Sequence, residues 1–318
     1  MRFRQLGESG LTVSVVGLGC NNFGQRLDLE GTRVVVDAAL DAGITLLDTA
    51  DVYGGQGGSE SLLGQVLKGR RDEVVLATKF GLDMGGSNGA DWGVRGSRRY
   101  IRRAVEASLR RLQTDHIDLY QMHTPDPRTP IEETLAALHD LVREGKVRYL
   151  GSSNFAGWQV ADAHWSAVTE GFSPFVSAQN EYSLLKREAE AEVVPACGRF
   201  GVGLLPYFPL ASGLLTGKYR RDADAPQGTR LADRPERLAE ADFGRLEAIQ
   251  SYADERGLTM LDVAIGGLAA QPTVASVIAG ATKPEQVAAN VAAGEWQPSP
   301  DDLTALDQVA PRGAGASG

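Results

Sequence analysis

The sequence predicts an α/β protein, a (β/α)₈ barrel of eight parallel strands. Three observations lead there. Eight short apolar segments recur along the chain, at 13–18, 44–47, 74–77, 117–121, 147–151, 176–179, 203–207 and 276–279. They are aliphatic or β-branched on both faces, as strands buried in a parallel sheet are. Helical segments lie between them, and strand–helix alternation implies βαβ units. The length, 318 residues, suits one barrel of ~250 residues with insertions. Eight units favour a closed barrel, although pattern alone also accommodates an open sheet. The chain is read as one domain over 1–318, with 311–318 (PRGAGASG) a flexible tail.

Each element has a local cause. Residues 1–12 precede the first strand and can form a small hairpin across the barrel bottom. Segment 32–42 has an apolar face, with Gly43 as its stop. Ser97 can cap the next helix, where Ile101, Val105, Leu109 and Leu112 recur three or four residues apart. Thr129-Pro130 offers a capping hydroxyl and then a proline at the first helical position; Leu135, Leu138 and Leu141 form the stripe, and Gly145 ends it. Pro195 should kink or shorten a helix over 188–199. Two long stretches, 82–96 (glycine-rich) and 216–240 (charged, with Pro226, Gly228 and Pro235), break the rhythm. Long irregular loops in a compact domain are usually functional or mobile, and these belong at the C-terminal face.

Composition narrows the function. Acidic residues outnumber basic ones 41 to 32, a net charge of −9, which argues against nucleic acid as a partner. No apolar run reaches the ~20 residues of a membrane span. The opening MRFRQLGESG has no apolar core, so it is not read as a secretory leader. Cys20 and Cys197 are too few and too far apart for a disulfide framework or zinc spacing, which fits a reducing cytosol. The four histidines, at 116, 123, 139 and 164, make no metal motif, so no metal is expected. GLGCNNFG lacks the G-x-G-x-x-G spacing, and GLLTGKY is not a P-loop. There is no G-x-S-x-G elbow.

Four polar residues stand at strand ends. Asp48 closes the second strand, Tyr53 follows it, Lys79 closes the third and His123 the fourth. Barrel enzymes place catalytic groups at these carboxyl ends, and consecutive strands are neighbours. Each residue alone has an ordinary explanation as a turn, packing or solvated group. Four converging on three successive strand ends point to chemistry.

The stretches carrying them, LLDTADVYGGQGGSESLLG, VLATKFG and SLRRLQTDHIDLYQMHTPD, resemble the aldo-keto reductase family around its catalytic Asp, Tyr, Lys and His. The likeness continues through GSSNF, SAQNEYSLL, PLASGLLTGKY and VIAGATKPEQVAANVAA, nearly the whole chain in order. The resemblance implies a reductase of aldehydes or ketones that draws hydride from a reduced nicotinamide cofactor. Tyr53 would be the general acid. Lys79 would lower its pKa from ~10, Asp48 would hold Lys79, and His123 would donate to the carbonyl oxygen.

It also implies the cofactor site. Ser152, Asn154 and Gln179 would bond or line the nicotinamide carboxamide, with Ser153 alongside and Phe155 packing. Tyr207 would stack on the ring, beside Gly19. Phe208, Pro209, Leu210, Ala211, Gly213 and Leu214 would run along the pyrophosphate, with Lys218 nearby. Gly280, Thr282, Lys283, Gln286 and Asn290 would receive the adenosine end at a helix N-terminus. Where many members carry Lys and Arg for the 2′-phosphate, this chain has Gly280 and Gln286. NADP is therefore preferred, through Lys283, and NAD stays possible. Phe208 replaces a common serine. Asn21, Trp92 and His123 are the candidate substrate-pocket residues. Segments 20–26, 82–96, 124–128 and 216–240 would set specificity. A sugar or alcohol dehydrogenase of the same family, and a cofactor-sensing regulatory subunit, are the other functions the resemblance allows.

Overall fold

The computed structural model describes residues 1–232 and 234–312. Strands β1 (Phe3–Gln5) and β2 (Thr12–Ser14) pair antiparallel. The remaining strands are β3 (Val16–Gly19), β4 (Leu46–Asp48), β5 (Val75–Phe80), β6 (Ile117–Met122), β7 (Val147–Ser153), β8 (Phe175–Gln179), β9 (Gly203–Leu204) and β10 (Val277–Gly280). They form one parallel sheet in the order β10-β3-β4-β5-β6-β7-β8-β9. The two ends meet through backbone bonds. Leu204 N–H donates to Thr273 O at 2.7 Å, Ala275 N–H to Leu204 O at 2.9 Å and Ile278 N–H to Pro206 O at 3.0 Å. The parallel (β/α)₈ barrel expected from the strand count is the architecture observed.

Six of the expected segments are strands with ends shifted by up to three residues, and two differ in kind. The apolar run 13–18 is two strands, not one. The chain leaves the hairpin at Ser14 and enters the barrel at Val16, and Ser14 and Thr45 exchange backbone-to-hydroxyl bonds of 3.0 Å at the break. The run 203–207 keeps only two residues of regular strand, because Pro206 has no N–H for a ladder. Tyr207 pairs instead in an isolated bridge with Glu181.

The hairpin seals the N-terminal mouth. Leu6 and Val13 pack with Leu46, Ala77, Leu119, Leu205 and Ala275 inside the barrel. Full burial of such side chains stabilises the fold by ~1.5–3 kcal/mol each. With this end filled, polar groups can gather only at the other.

Helices wrap the outside. Asp28 caps Leu29–Asp41 by accepting from Gly31 N–H. Ser97 caps Arg98–Leu112 as expected, and that helix buries Ile101, Ala104, Val105, Leu109 and Leu112 against the sheet. In Ile131–Arg143, Pro130 is the cap residue rather than the first helical one. The Thr129 hydroxyl is used elsewhere, donating to Asp126 Oδ2 at 2.7 Å. The helix expected over 188–199 is a 3₁₀ turn, Glu188–Glu190, followed by Val193–Phe200, so Pro195 falls in a first turn where its missing N–H costs nothing.

Helices Phe243–Asp254, Met260–Ala269 and Pro300–Val309 build a second apolar cluster around Ile249, Val263 and Leu306. Of the expected tail, Pro311 O accepts from Arg245 Nη2 at 2.8 Å and Arg312 Nε reaches Asp307 at 3.2 Å, so 311–312 are held; 313–318 lie outside the described residues. Among the described residues no helix is long and apolar enough to cross a membrane.

Candidate active site

Three adjacent strands and one tight turn assemble the site. Register sets Asp48 beside Gly19 and Ala77, and Lys79 beside Gln121. His123 follows β6, held by its N–H to Phe80 O at 2.7 Å. Tyr53 opens the short turn Tyr53–Gln56, in which Gly54 and Gly55 take φ of +70° and +73°. A Cβ on Gly54 would stand 2.5 Å from Ser59 N and 2.6 Å from Phe23 O, so only glycine lets the turn fold this tightly.

The four expected catalytic residues come together. Lys79 is fully buried; its Nζ donates to Asp48 Oδ2 at 2.7 Å and to Thr49 O at 2.9 Å. The same Nζ lies 5.0 Å from the Tyr53 ring centroid. The His123 ring meets Tyr53 edge-on at 5.8 Å. Asp48 Oδ1 accepts from Gln121 Nε2 at 3.1 Å and Gln179 Nε2 at 2.9 Å.

Burial and charge decide the protonation states. Burial works against the Lys79 ammonium, but Asp48 and Tyr53 outweigh it and raise its pKa, so it stays a cation. Burial lifts the Tyr53 phenol above its usual 10; Lys79 opposes this without reversing it. Lys79 thus acts in the expected direction, lowering the phenol's pKa, but desolvation of the phenolate is the larger effect and the net shift is upward. His123 is pushed down to about 3, by burial first and then by Lys79. It is a neutral imidazole near pH 7, and its Nδ1 has no partner.

Asp48, Tyr53 and His123 line the floor of a cleft of about 750 Å³, and Lys79 is buried beneath them. Gly19, Asn21, Asn154, Gln179 and Tyr207 line its inner part. Phe208, Pro209, Leu210, Gly213 and Lys218 also line it, as do Thr282, Lys283, Gln286 and Asn290, which follow Gly280, the register partner of Gly19. Asn154 donates to His123 O at 2.9 Å and accepts from the Tyr207 hydroxyl at 2.8 Å, tying the cleft centre to the catalytic floor. Thr282 N–H is capped by Gln286 Oε1 at 2.7 Å beside the helix Pro284–Ala293.

Four expected residues lie elsewhere. Ser152 turns away, its hydroxyl 3.4 Å from Ser177 O, and Ser153 faces the cleft instead. Strand residues alternate sides, so a one-residue misreading of register selects the wrong serine. Ala211 and Leu214 pack toward the second apolar cluster. Trp92 is 61% exposed under the Arg99 guanidinium and does not line the cleft.

Sequence reasoning missed Gln121, and it named Asn22 and Arg230 only within the specificity segments 20–26 and 216–240. Arg230 lines the cleft with Gln227, Gly228 and Thr229, and its Nη2 donates to Asn22 Oδ1 at 3.3 Å. Gln121 sits inside an apolar strand, and Arg230 is one of many charges in its loop, so neither carried a signal. Among the described residues no three His, Cys, Asp or Glu side chains gather as a metal site.

The pattern of the aldo/keto reductase family matches residues 15–311, which spans the whole barrel and all four floor residues. The chain belongs to the aldo/keto reductase family. Within that family it is 41% identical to the oxidoreductase YrpG of Bacillus subtilis (strain 168), over 98% of this chain and 96% of the relative. It is 35% identical to a probable voltage-gated potassium channel subunit beta of Arabidopsis thaliana, covering 97% and 96% of the two chains. It is 34% identical to versiconal hemiacetal acetate reductase of Aspergillus parasiticus, with the same shares.

Proposed function

We propose that this aldo/keto reductase reduces aldehydes or ketones to alcohols, with Tyr53 as proton donor and a nicotinamide dinucleotide as hydride source. The observation that carries this reading is the water-excluded Asp48–Lys79 pair placed under the Tyr53 ring, with neutral His123 alongside.

The cleft suits the cofactor. Lys218, Arg230 and Lys283 line it in a protein of net charge −9. Arg230 reaches the neutral Asn22 amide rather than a carboxylate, and these cations would complement an anionic ligand. Asn154 and Ser153 would hold the nicotinamide end, Tyr207 would cover its ring, and Lys218 and Arg230 would face the pyrophosphate. Lys283 and Thr282, at the start of a helix, would take a 2′-phosphate, which favours NADP while leaving NAD admissible.

A bound reduced nicotinamide supplies a hydride to the carbonyl carbon. The protein supplies the rest. His123, uncharged, donates from Nε2 to the carbonyl oxygen and orients it. Tyr53, kept protonated by its burial, gives its proton to that oxygen. Lys79 stabilises the phenolate left behind, and Asp48 with its two glutamine donors keeps Lys79 in place.

Tyr53→Phe tests the reading. It should fold and bind cofactor while losing ~10²–10⁴ in turnover with a panel of aldehydes and ketones. Full activity in that variant would sink it. The likeness to a channel beta subunit keeps a cofactor-sensing role as the second reading. Tight NADPH binding without turnover on the panel, in either direction, would favour that role.

A further inference from the structure

The glycine-rich loop 82–96 leaves β5 just after Lys79, and its Trp92 stands away from the cleft. Its polar contacts point to a different role. Asn88, 5% exposed, donates from Nδ2 to Asp51 Oδ2 at 2.9 Å. Ser87 donates to Gln56 Oε1 at 2.8 Å. Asp51 stands two residues before Tyr53 and Gln56 three after it. The loop therefore grips the turn that carries the proton donor from both sides.

Asn88 is itself anchored from behind. Arg111 Nη1 donates to Asn88 Oδ1 at 3.1 Å, and Arg111 Nε to Glu60 Oε2 at 2.6 Å. Glu60, fully buried, also accepts from Thr78 Oγ1 at 2.6 Å, which ties the cluster to β5 itself. Asp51 N–H donates to Lys79 O at 3.1 Å. The two glycines after Tyr53 leave that turn little stiffness of its own, so contacts from outside must fix it. A carboxyl buried completely at Asp51 would be an unexplained cost unless its placement serves something.

We propose that Asn88 and Asp51 form a latch through which loop 82–96 positions Tyr53 over Lys79, making both positioning residues for proton transfer. The inference rests on the reading of Tyr53 as the acid. It gives the loop a catalytic task separate from substrate choice.

Single and double substitutions test it, with Tyr53→Phe alongside. Asn88→Ala and Asp51→Ala should each lower kcat about 10- to 100-fold, as a misplaced acid does, and leave KM within about three-fold. The double variant should fall no further than the worse single one, because both break the same Asn88–Asp51 bond. Asp51→Asn, which keeps an oxygen facing Asn88, should retain kcat. Arg103→Ala, which loses only a contact at Ala90 O, should match the parent. A readout free of cofactor is the Tyr53 phenol titration, by difference absorbance against Tyr53→Phe. It should move down toward 10 in Asn88→Ala, as water reaches the ring. Should Asn88→Ala not fold, the exposed Ser87–Gln56 contact gives the same readout, and Gln56→Ala should lower kcat about three-fold. Parent kcat and an unmoved phenol titration in these variants, with Tyr53→Phe inactive, overturn the latch. An active Tyr53→Phe overturns the catalytic reading itself, and the latch with it.

Discussion

Lys79 and Asp48 form an ion pair at 2.7 Å with side chains 0% and 4% exposed. Breaking one side of such a pair leaves a buried charge uncompensated, at a cost of ~3–5 kcal/mol. Lys79→Met should therefore lower both stability and turnover. Adding Asp48→Asn should restore most of the stability and none of the turnover. Denaturant midpoints and kcat for the two variants check this; if stability stays low in the double variant, the loss came from packing.

His123 supplies a pH prediction. Its folded pKa of about 3 lies below the free value of 6.5. A neutral buried histidine contributes stability that is complete above 6.5 and is lost as pH falls through about 3. Unfolding curves from pH 7 to 3.5 should show His123→Phe losing less stability than the parent over this window. In NMR the parent imidazole should stay neutral down to about pH 4.

Asp51 has the opposite sign. Burial first, and then Glu60, push its carboxyl from 3.8 to about 8, against Arg111 and the Asn88 bond. Its neutral form is favoured in the fold, so its contribution is full below 3.8 and is lost as pH rises toward about 8, at up to ~1.4 kcal/mol per pH unit. Asp51→Asn should flatten stability between pH 4 and 8. The other groups facing this carboxyl are Tyr100 and Tyr120, both with pKa raised by burial, so they stay neutral throughout that window. An unchanged pH slope in Asp51→Asn would assign it to other groups.

Lys283 stands at the start of the helix Pro284–Ala293, facing the cleft. Lys283→Ala should weaken NADPH binding more than NADH binding, by about 5- to 50-fold in the ratio, as loss of one charge-assisted contact does. Equal loss for both cofactors in a fluorescence titration would remove Lys283 from 2′-phosphate recognition.

What could be read from the sequence follows from where its signals lie. Asp48, Lys79 and His123 each interrupt an apolar run at its end, which makes a strand-end polar group visible. Gln121 has no such contrast, because its partner Asp48 is distant in sequence. Ser152 and Ser153 are chemically identical, and only the register of β7 separates them. Helix Met260–Ala269 buries eight of its ten residues, so it shows no stripe to betray its period. Arg230 becomes notable only when the fold brings Asn22 to it across most of the chain.

The barrel closes through a two-residue strand, so β9 and β10 share the thinnest seam in the ring. The wall Phe208–Gly213 continues from one lip of that seam and the segment Gly280–Gln286 from the other. A ligand lying across both acts as a clasp. Its binding free energy adds directly to the work of opening the ring there, by RT ln(1 + [L]/Kd). Amide exchange at Leu204, Ala275 and Ile278 should slow on cofactor binding while exchange deep in β6 does not change. The weakest stave of the barrel is then the one that reports whether the cleft is filled.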